Sequence, residues 1–270
     1  GIDENGDWES LEALNGEPRN IFRHNNRVVS IYPERELVTI RHTDGKQALH
    51  PRLPENIDQL ELFYTMDRLD DDRIADHPAL VVDLQPKDRY RYGYRYWVDK
   101  DTGMLLRCDL VSEDDEVVEQ MMFTSLEYLP QKPAHRFELP QYERYKQKQL
   151  DEVVVEVMNS EPIEWTINQL PQGFMMTQRT MRHSKPASSL PQEAKPDLLH
   201  MVYSDGLASV SVFIEKNQGS GNHVVGASTM GAVNAFGHPV GDSFVTVVGE
   251  VPVKTVKSMA QSTVKVAAGD

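Results

Sequence analysis

Of the side chains here that could do chemistry, nine histidines and a single cysteine, Cys108, are the ones whose spacing can be tested first. No two histidines stand in an H-x-x-H or H-E-x-x-H relation, and one thiol cannot complete a zinc set, so no metal site is expected. Asp70-Asp71-Asp72 and Glu113-Asp114-Asp115-Glu116 would attract a cation by charge. Neither has the alternating ligands and central glycine of a calcium loop, and solvated hairpin tips account for both. The run "GSGNHVVG" (219–226) lacks the G-x-G-x-x-G spacing of a dinucleotide turn and opens no helix. A G-x-S-x-G elbow is absent. Ser204-Asp205-Gly206 puts a serine beside an aspartate, but a hairpin turn explains all three residues. Catalytic residues and cofactors are therefore expected to be none. A carboxylate pair assembled only in three dimensions is the one device that spacing leaves open.

Binding chemistry is better represented. In "RYRYGYRYW" (89–97) a period of two places Tyr90, Tyr92, Tyr94 and Tyr96 on one face and Arg89, Arg91, Arg95 and Trp97 on the other. A ring with a hydroxyl suits a half-wet cavity for an amphipathic or acyl-bearing ligand. The competing account is a half-buried strand, tyrosines toward the core and arginines paired with acids on neighbouring strands. In "EWTINQLPQGF" (164–174), Trp165 and Phe174 read as core residues brought inward by a Pro171-Gln172-Gly173 turn.

The elements that must position these residues are mostly strands. "RVVSIYP" (27–33), "ELVTIRH" (36–42), "ALVVDLQ" (79–85), residues 89–99, "MLLRCDLVS" (104–112) and "EQMMFTSLEYL" (119–129) are rich in β-branched and aromatic residues. Turn chemistry at Asp44-Gly45, Pro86–Asp88, Asp101–Gly103 and Ser112–Asp115 separates them, which predicts an antiparallel meander with a short helical stretch in 55–64. Residues 133–160 carry prolines and charge and read as a linker. Beyond it come a polar loop (182–197), strands 198–216 broken at Ser204–Gly206, a Gly-rich loop (217–222), a strand (223–233), a turn "NAFGHPVGD" and a strand (243–251). In 207–214 the apolar set Ala208, Val210, Val212 and Ile214 should face the core. Pro252 suits a first helical turn, and Val253, Val256, Met259 and Ala260 share one helical face. The expected fold class is α+β in two domains: a β-rich domain over 1–132 and a small α+β domain over 161–270.

Bulk properties narrow the partners. The net charge of −14 argues against a nucleic-acid surface. Residues 161–270 hold 8 of the 28 Lys+Arg and 9 of the 42 Asp+Glu, a net of −1, which leaves −13 for residues 1–160. One cysteine forbids an internal disulfide and fits either redox compartment. No apolar run reaches the ~18 residues of a membrane span. The first residue is Gly1 and a hairpin turn follows at once, so the chain reads as a piece of something longer.

Taken in order, "LPQGF", "YSDGLASVSVFIE", a glycine-rich strand and "VTVVGEVPVKTVKSMAQSTV" resemble the C-terminal domain of the RseB/MucB family. Residues 11–34 and 73–126, with "RIAD" and the "WVDKDTGMLLR" hairpin, resemble its N-terminal domain. The resemblance implies an N-terminal half-barrel similar to lipoprotein carriers, missing its first strands here and so open at one edge. It implies a periplasmic, non-catalytic protein that binds the periplasmic part of a membrane-spanning anti-sigma factor, shields it from regulated proteolysis, and negatively regulates sigma-E signalling. A lipid or mislocalised lipoprotein in the N-terminal cavity is the implied signal, with Tyr90, Tyr92, Tyr94 and Tyr96 as candidate lining. Tyr203, Asp205, Gly206 and Phe213 are candidate partner contacts on the C-terminal domain, and a homo-oligomer is compatible with exposed strand edges. A lipid or lipoprotein carrier is the alternative function.

Overall fold

The computed structural model describes residues 1–42, 53, 57–129, 131, 139–150, 155–157, 164–182, 197–217 and 223–266. The Asp44-Gly45 turn, the loops 183–196 and 218–222, and much of 133–160 lie outside the described residues. The architecture is α+β and dominated by strands, and the chain divides into two compact units, each built from two stretches of sequence.

The first unit takes residues 1–52 and 125–152. Strands β1 (Ile2–Asp3), β2 (Gly6–Glu12), β3 (Asn20–His24), β4 (Arg27–Tyr32) and β5 (Leu37–His42) form the antiparallel meander expected from their alternation. Strand β12 (Lys146–Gln149), inside the stretch read as a linker, pairs in parallel with β5 from Lys146↔Leu37 onward. The alternate residues Val29, Ile31, Val38 and Ile40 are buried against Phe22, Leu139, Tyr142 and Tyr145.

The second unit takes residues 53–124 and 153–270, so packing groups the chain differently from a division at 132 and 160. It opens with α1 (Ile57–Leu60), β6 (Tyr64–Arg68), β7 (Asp72–Ile74), β8 (His77–Pro86), β9 (Gly93–Asp99), β10 (Leu105–Val111) and β11 (Val117–Met122). The sheet order is β11-β10-β9-β8-β6, with β7 hairpinned onto β8. On one face Arg95 sits opposite both Asp83 and Asp109, and its Nε donates to Asp83 at 2.8 Å. Arg107 lies 4.0 Å over the Trp97 ring, whose Nε1 donates to Asp72 at 2.8 Å. Arg95, the arginine of β9, therefore does pair with an acid of a neighbouring strand.

Strands β13 (Val155–Val157), β14 (Trp165–Ile167), β15 (Met175–Arg182), β16 (Leu198–Ser204), β17 (Ser209–Lys216), β18 (Gly226–Met230), β19 (Val233–Val240), β20 (Ser243–Gly249) and β21 (Thr263–Lys265) follow, with helix α2 (Val253–Ser262) before the last. Seven of them form an antiparallel sheet, β13-β15-β16-β17-β20-β19-β18, and β14 pairs with β21. Val210, Val212 and Ile214 face the core as their alternation requires, with Trp165, Phe174, Val256, Met259 and Ala260 around them.

Two local expectations are corrected. The stretch "NAFGHPV" is strand β19, not a turn: Asn234 and Phe236 are buried, and the turns fall at Gly231 and Gly241, whose φ values are 61° and 60°. Pro239 is tolerated because β18 pairs with β19 only as far as Gly226↔Gly237, so among the described residues no outer strand needs its missing N–H. Gly237 is required because a Cβ there would collide with the Val224 carbonyl. Val253 is 38% exposed and does not share the buried face of α2, since it stands at the helix start just after Pro252. Met259→Ala should therefore lower stability by about 2–5 kcal/mol in urea unfolding. Val253→Ala should stay within about 0.5 kcal/mol.

Candidate functional site

Tyrosines 90–96 do not share one strand face. Strand β9 starts only at Gly93, because Asp88 turns the chain before it: Asp88 Oδ1 accepts the Tyr90 N–H at 2.8 Å and the Arg91 Nε at 3.2 Å. Tyr90 lies against helix α2, where Thr255 Oγ1 donates to its carbonyl at 2.7 Å and Lys254 Nζ sits 4.8 Å from its ring. The Tyr92 hydroxyl accepts from Asn234 Nδ2 at 3.0 Å, and its ring is buried with Leu110 and Ala232. Tyr94 and Tyr96, two residues apart on β9, stack at 5.9 Å and 10°. Tyr64 meets Tyr94 edge-on at 6.3 Å and 61°. Leu60, Leu84, Leu105 and Cys108 complete this cluster, with Phe63 and Leu207 at its border.

Below it lies Arg91, placed by alternation on the opposite face to the tyrosines yet fully buried. Its Nη1 donates to Asp205 Oδ2 at 2.6 Å, and its Nη2 donates to Asp88 Oδ2 at 2.9 Å and to the Gln172 carbonyl at 2.6 Å. The rings of Phe63, Phe174 and Tyr64 stand 5.0, 5.1 and 5.7 Å from the guanidinium carbon. The Pro171–Gly173 turn now has two duties: it brings Phe174 inward and presents a carbonyl to Arg91. Gly173 is required there, with φ 90° and a Cβ that would fall 2.6 Å from the Phe63 ring.

The four candidate partner contacts divide. Tyr203 is buried, with its hydroxyl 3.8 Å from Met201 sulfur. Asp205 is interior and committed to Arg91, Tyr64 and two backbone amides. Gly206 is exposed at the tip of the turn, with φ 104°. Phe213 points away from the core, stacked on His200 at 4.4 Å, and the His200 Nε2 is 3.0 Å from Ser211 Oγ. Tyr203 and Phe213 are thus on opposite faces of one sheet. Sequence reasoning missed Arg91 as an interior residue, and it missed the parts that Tyr64, Phe63 and the Gln172 carbonyl play around it. The Asp88-x-x-Arg91 spacing was the available local signal; the other partners come from distant stretches.

The electrostatics favour binding over reaction. Burial, then the Asp205 charge, pushes the Tyr64 hydroxyl far above its usual range, and burial does the same for Tyr94 and Tyr96, so all three stay protonated. Burial, reinforced by Asp109 and Glu119, raises the Cys108 thiol to about 12. Among the described residues no group of three His, Cys, Asp or Glu side chains could hold a metal ion. Nor is any described helix long and apolar enough to cross a membrane. Because thiolate forms only as pH approaches the raised value, Cys108 should resist a disulfide reagent at pH 8 in the folded protein and react at once in denaturant. Reaction of the native protein at the denatured rate would contradict this burial.

The profile of the MucB/RseB N-terminal domain matches residues 1–153, and that of the MucB/RseB C-terminal domain matches residues 159–264. The sigma-E factor regulatory protein RseB of Haemophilus influenzae is 27% identical over 260 residues, which is 96% of this chain and 78% of that protein. The sigma factor AlgU regulatory protein MucB of Pseudomonas aeruginosa is 31% identical over 213 residues, 76% of this chain and 61% of that protein. A crystal structure of MucB in complex with MucA(peri) superposes with a TM-score of 0.62 at 26% identity, covering 96% of this chain and 83% of that one. With both domain profiles met in order along nearly its whole length, the chain belongs to the MucB/RseB family.

Proposed function

We propose that this protein is a non-catalytic, periplasmic negative regulator of sigma-E-type envelope-stress signalling. It binds the periplasmic part of a membrane-spanning anti-sigma factor and shields that segment from regulated proteolysis. The observation that carries this reading is the likeness, over 96% of the chain, to a MucB solved in complex with MucA(peri). The names of the relatives, regulatory proteins of sigma factors, support the regulatory and non-enzymatic part of it. The site chemistry agrees, since the buried tyrosines and thiol offer no ionised nucleophile.

Of the candidate partner contacts, Gly206 at its turn tip and the half-buried Phe213 with its stacked His200 are the two that a docking segment could reach without unpacking the core. Aromatic side chains in such positions commonly dominate a peptide interface. Tyr94, the half-buried member of its stacked pair with Tyr96, is the part of the tyrosine cluster that a lipid or lipoprotein acyl chain would meet, which is the signal-sensing half of the proposal.

Calorimetric titration of a peptide spanning the anti-sigma factor's periplasmic region into the full chain tests the first half. Binding at micromolar Kd or tighter, about −8 kcal/mol, is expected. Phe213→Ala should weaken it roughly tenfold or more. No binding by a folded chain would reject the regulator reading. For the second half, a fluorescent fatty acid should bind the native protein, and Tyr94→Ala should reduce that binding while the far-UV spectrum stays native. Retention of full probe affinity by that variant would remove the tyrosine cluster as the ligand surface.

A further inference from the structure

Asp205 is a junction between two parts of the second unit. Its Oδ2 accepts from Arg91 Nη1 at 2.6 Å and from the Tyr64 hydroxyl at 3.1 Å. Its Oδ1 accepts the backbone N–H groups of Leu207 at 2.9 Å and Ala208 at 2.8 Å. These four bonds occupy the carboxylate's acceptor sites, and both the Asp205 and Arg91 side chains are fully buried. No water stands ready to replace a lost donor in such a place, so each bond constrains the other three.

Tyr64 belongs to two assemblies at once. Its ring is part of the tyrosine cluster, edge-on to Tyr94, while its hydroxyl reaches Asp205. At 1% exposure the ring is enclosed by its neighbours, and Tyr94, itself stacked on Tyr96, meets it edge-on, so repacking of that pair bears directly on Tyr64. Any such movement withdraws or swings the hydroxyl, and with it one of the four bonds that orient the Asp205 carboxylate. The turn oriented by that carboxylate has further bonds of its own, beginning with the Asp205 N–H, which donates to the Ala208 carbonyl at 3.3 Å. Ser204 Oγ donates to the Ala208 carbonyl at 2.8 Å and accepts the Gly206 N–H at 3.0 Å, and the Leu207 side chain packs back against the aromatic cluster.

We propose that Tyr64 is a coupling element: through its bond to Asp205, the packing of the Tyr94–Tyr96 pair sets the conformation of the Ser204–Ala208 turn between β16 and β17. Strain in the sheet of β9 is thereby read out at a hairpin of the seven-stranded sheet, with Arg91 fixing the carboxylate about which the linkage turns.

NMR-detected amide exchange on the full chain tests this with Tyr64→Phe, Tyr94→Leu and the double variant. Tyr64→Phe removes only the hydroxyl and keeps the ring. It should speed exchange of the Leu207 and Ala208 amides by about tenfold, the effect of roughly 1.4 kcal/mol, while Val210 and Val212 stay protected. Tyr94→Leu should loosen the same two amides, and adding it to Tyr64→Phe should bring little further change, because both act through one bond. Unchanged turn amides in Tyr64→Phe would overturn the proposal. So would additive effects in the double variant, or an acceleration spread evenly over all strands. Should Tyr94→Leu fail to fold, Tyr94→Met takes its place in the cycle, and unchanged turn amides in Tyr64→Phe overturn the proposal whichever variant is used.

Discussion

A fully buried guanidinium, that of Arg91, is the constraint on which the second unit depends. A lone buried cation is strongly unfavourable, and it becomes tolerable only when its donors are met and its charge is matched. Asp205, Asp88 and the Gln172 carbonyl meet those donors, and three aromatic rings close around the charge. These partners come from four separate stretches of chain. Leaving either Arg91 or Asp205 without the other costs about 3–5 kcal/mol, a large share of a domain's stability. Two further ties, Asn234 to Tyr92 and Thr255 to Tyr90, run alongside. Residues 53–124 and 153–270 accordingly pack as one body although the family profiles divide near residue 153.

Local signals were legible in the sequence, and long-range ones were not. Alternation placed Val210, Val212 and Ile214 in the core, and turn residues located Asp101–Gly103 and Ser204–Gly206, because period and turn chemistry act over a few residues. The pairing of Arg95 with Asp83 followed from the same alternation. Extending that alternation back to Tyr90 failed because the Asp88 side chain bends the backbone before Gly93, a contact that a two-residue period cannot express. The turn assigned to "NAFGHPV" failed for the converse reason. Glycine and proline usually break a strand, but here one gives room to a neighbouring carbonyl and the other stands past the end of its partner strand. Of the candidate contacts, Phe213 is half-buried on the sheet face turned from the core, while Tyr203 and Asp205 are interior.

Polar groups in this protein are used to fix geometry more than to react. Buried hydroxyls stay neutral, the one thiol is masked, and the interior carboxylate is saturated with donors. The uneven charge, −13 over residues 1–160 against −1 beyond, adds a long-range repulsion of anionic partners from the first part while leaving the second nearly indifferent to ionic strength.

The parallel strand β12 carries a different consequence, for the order in which the protein is made. It completes a sheet begun by β5, yet the whole first stretch of the second unit lies between Leu37 and Lys146. Closing so long a loop delays that pairing until synthesis and earlier hairpins have advanced, and such non-local contacts form slowly. Until then the β5 edge has unmet backbone groups, a state in which a growing chain is exposed to wrong partners and to chaperones. Maturation of the first unit is thus tied to emergence of residues 146–149, and a chain stopped before them would carry an unfinished sheet.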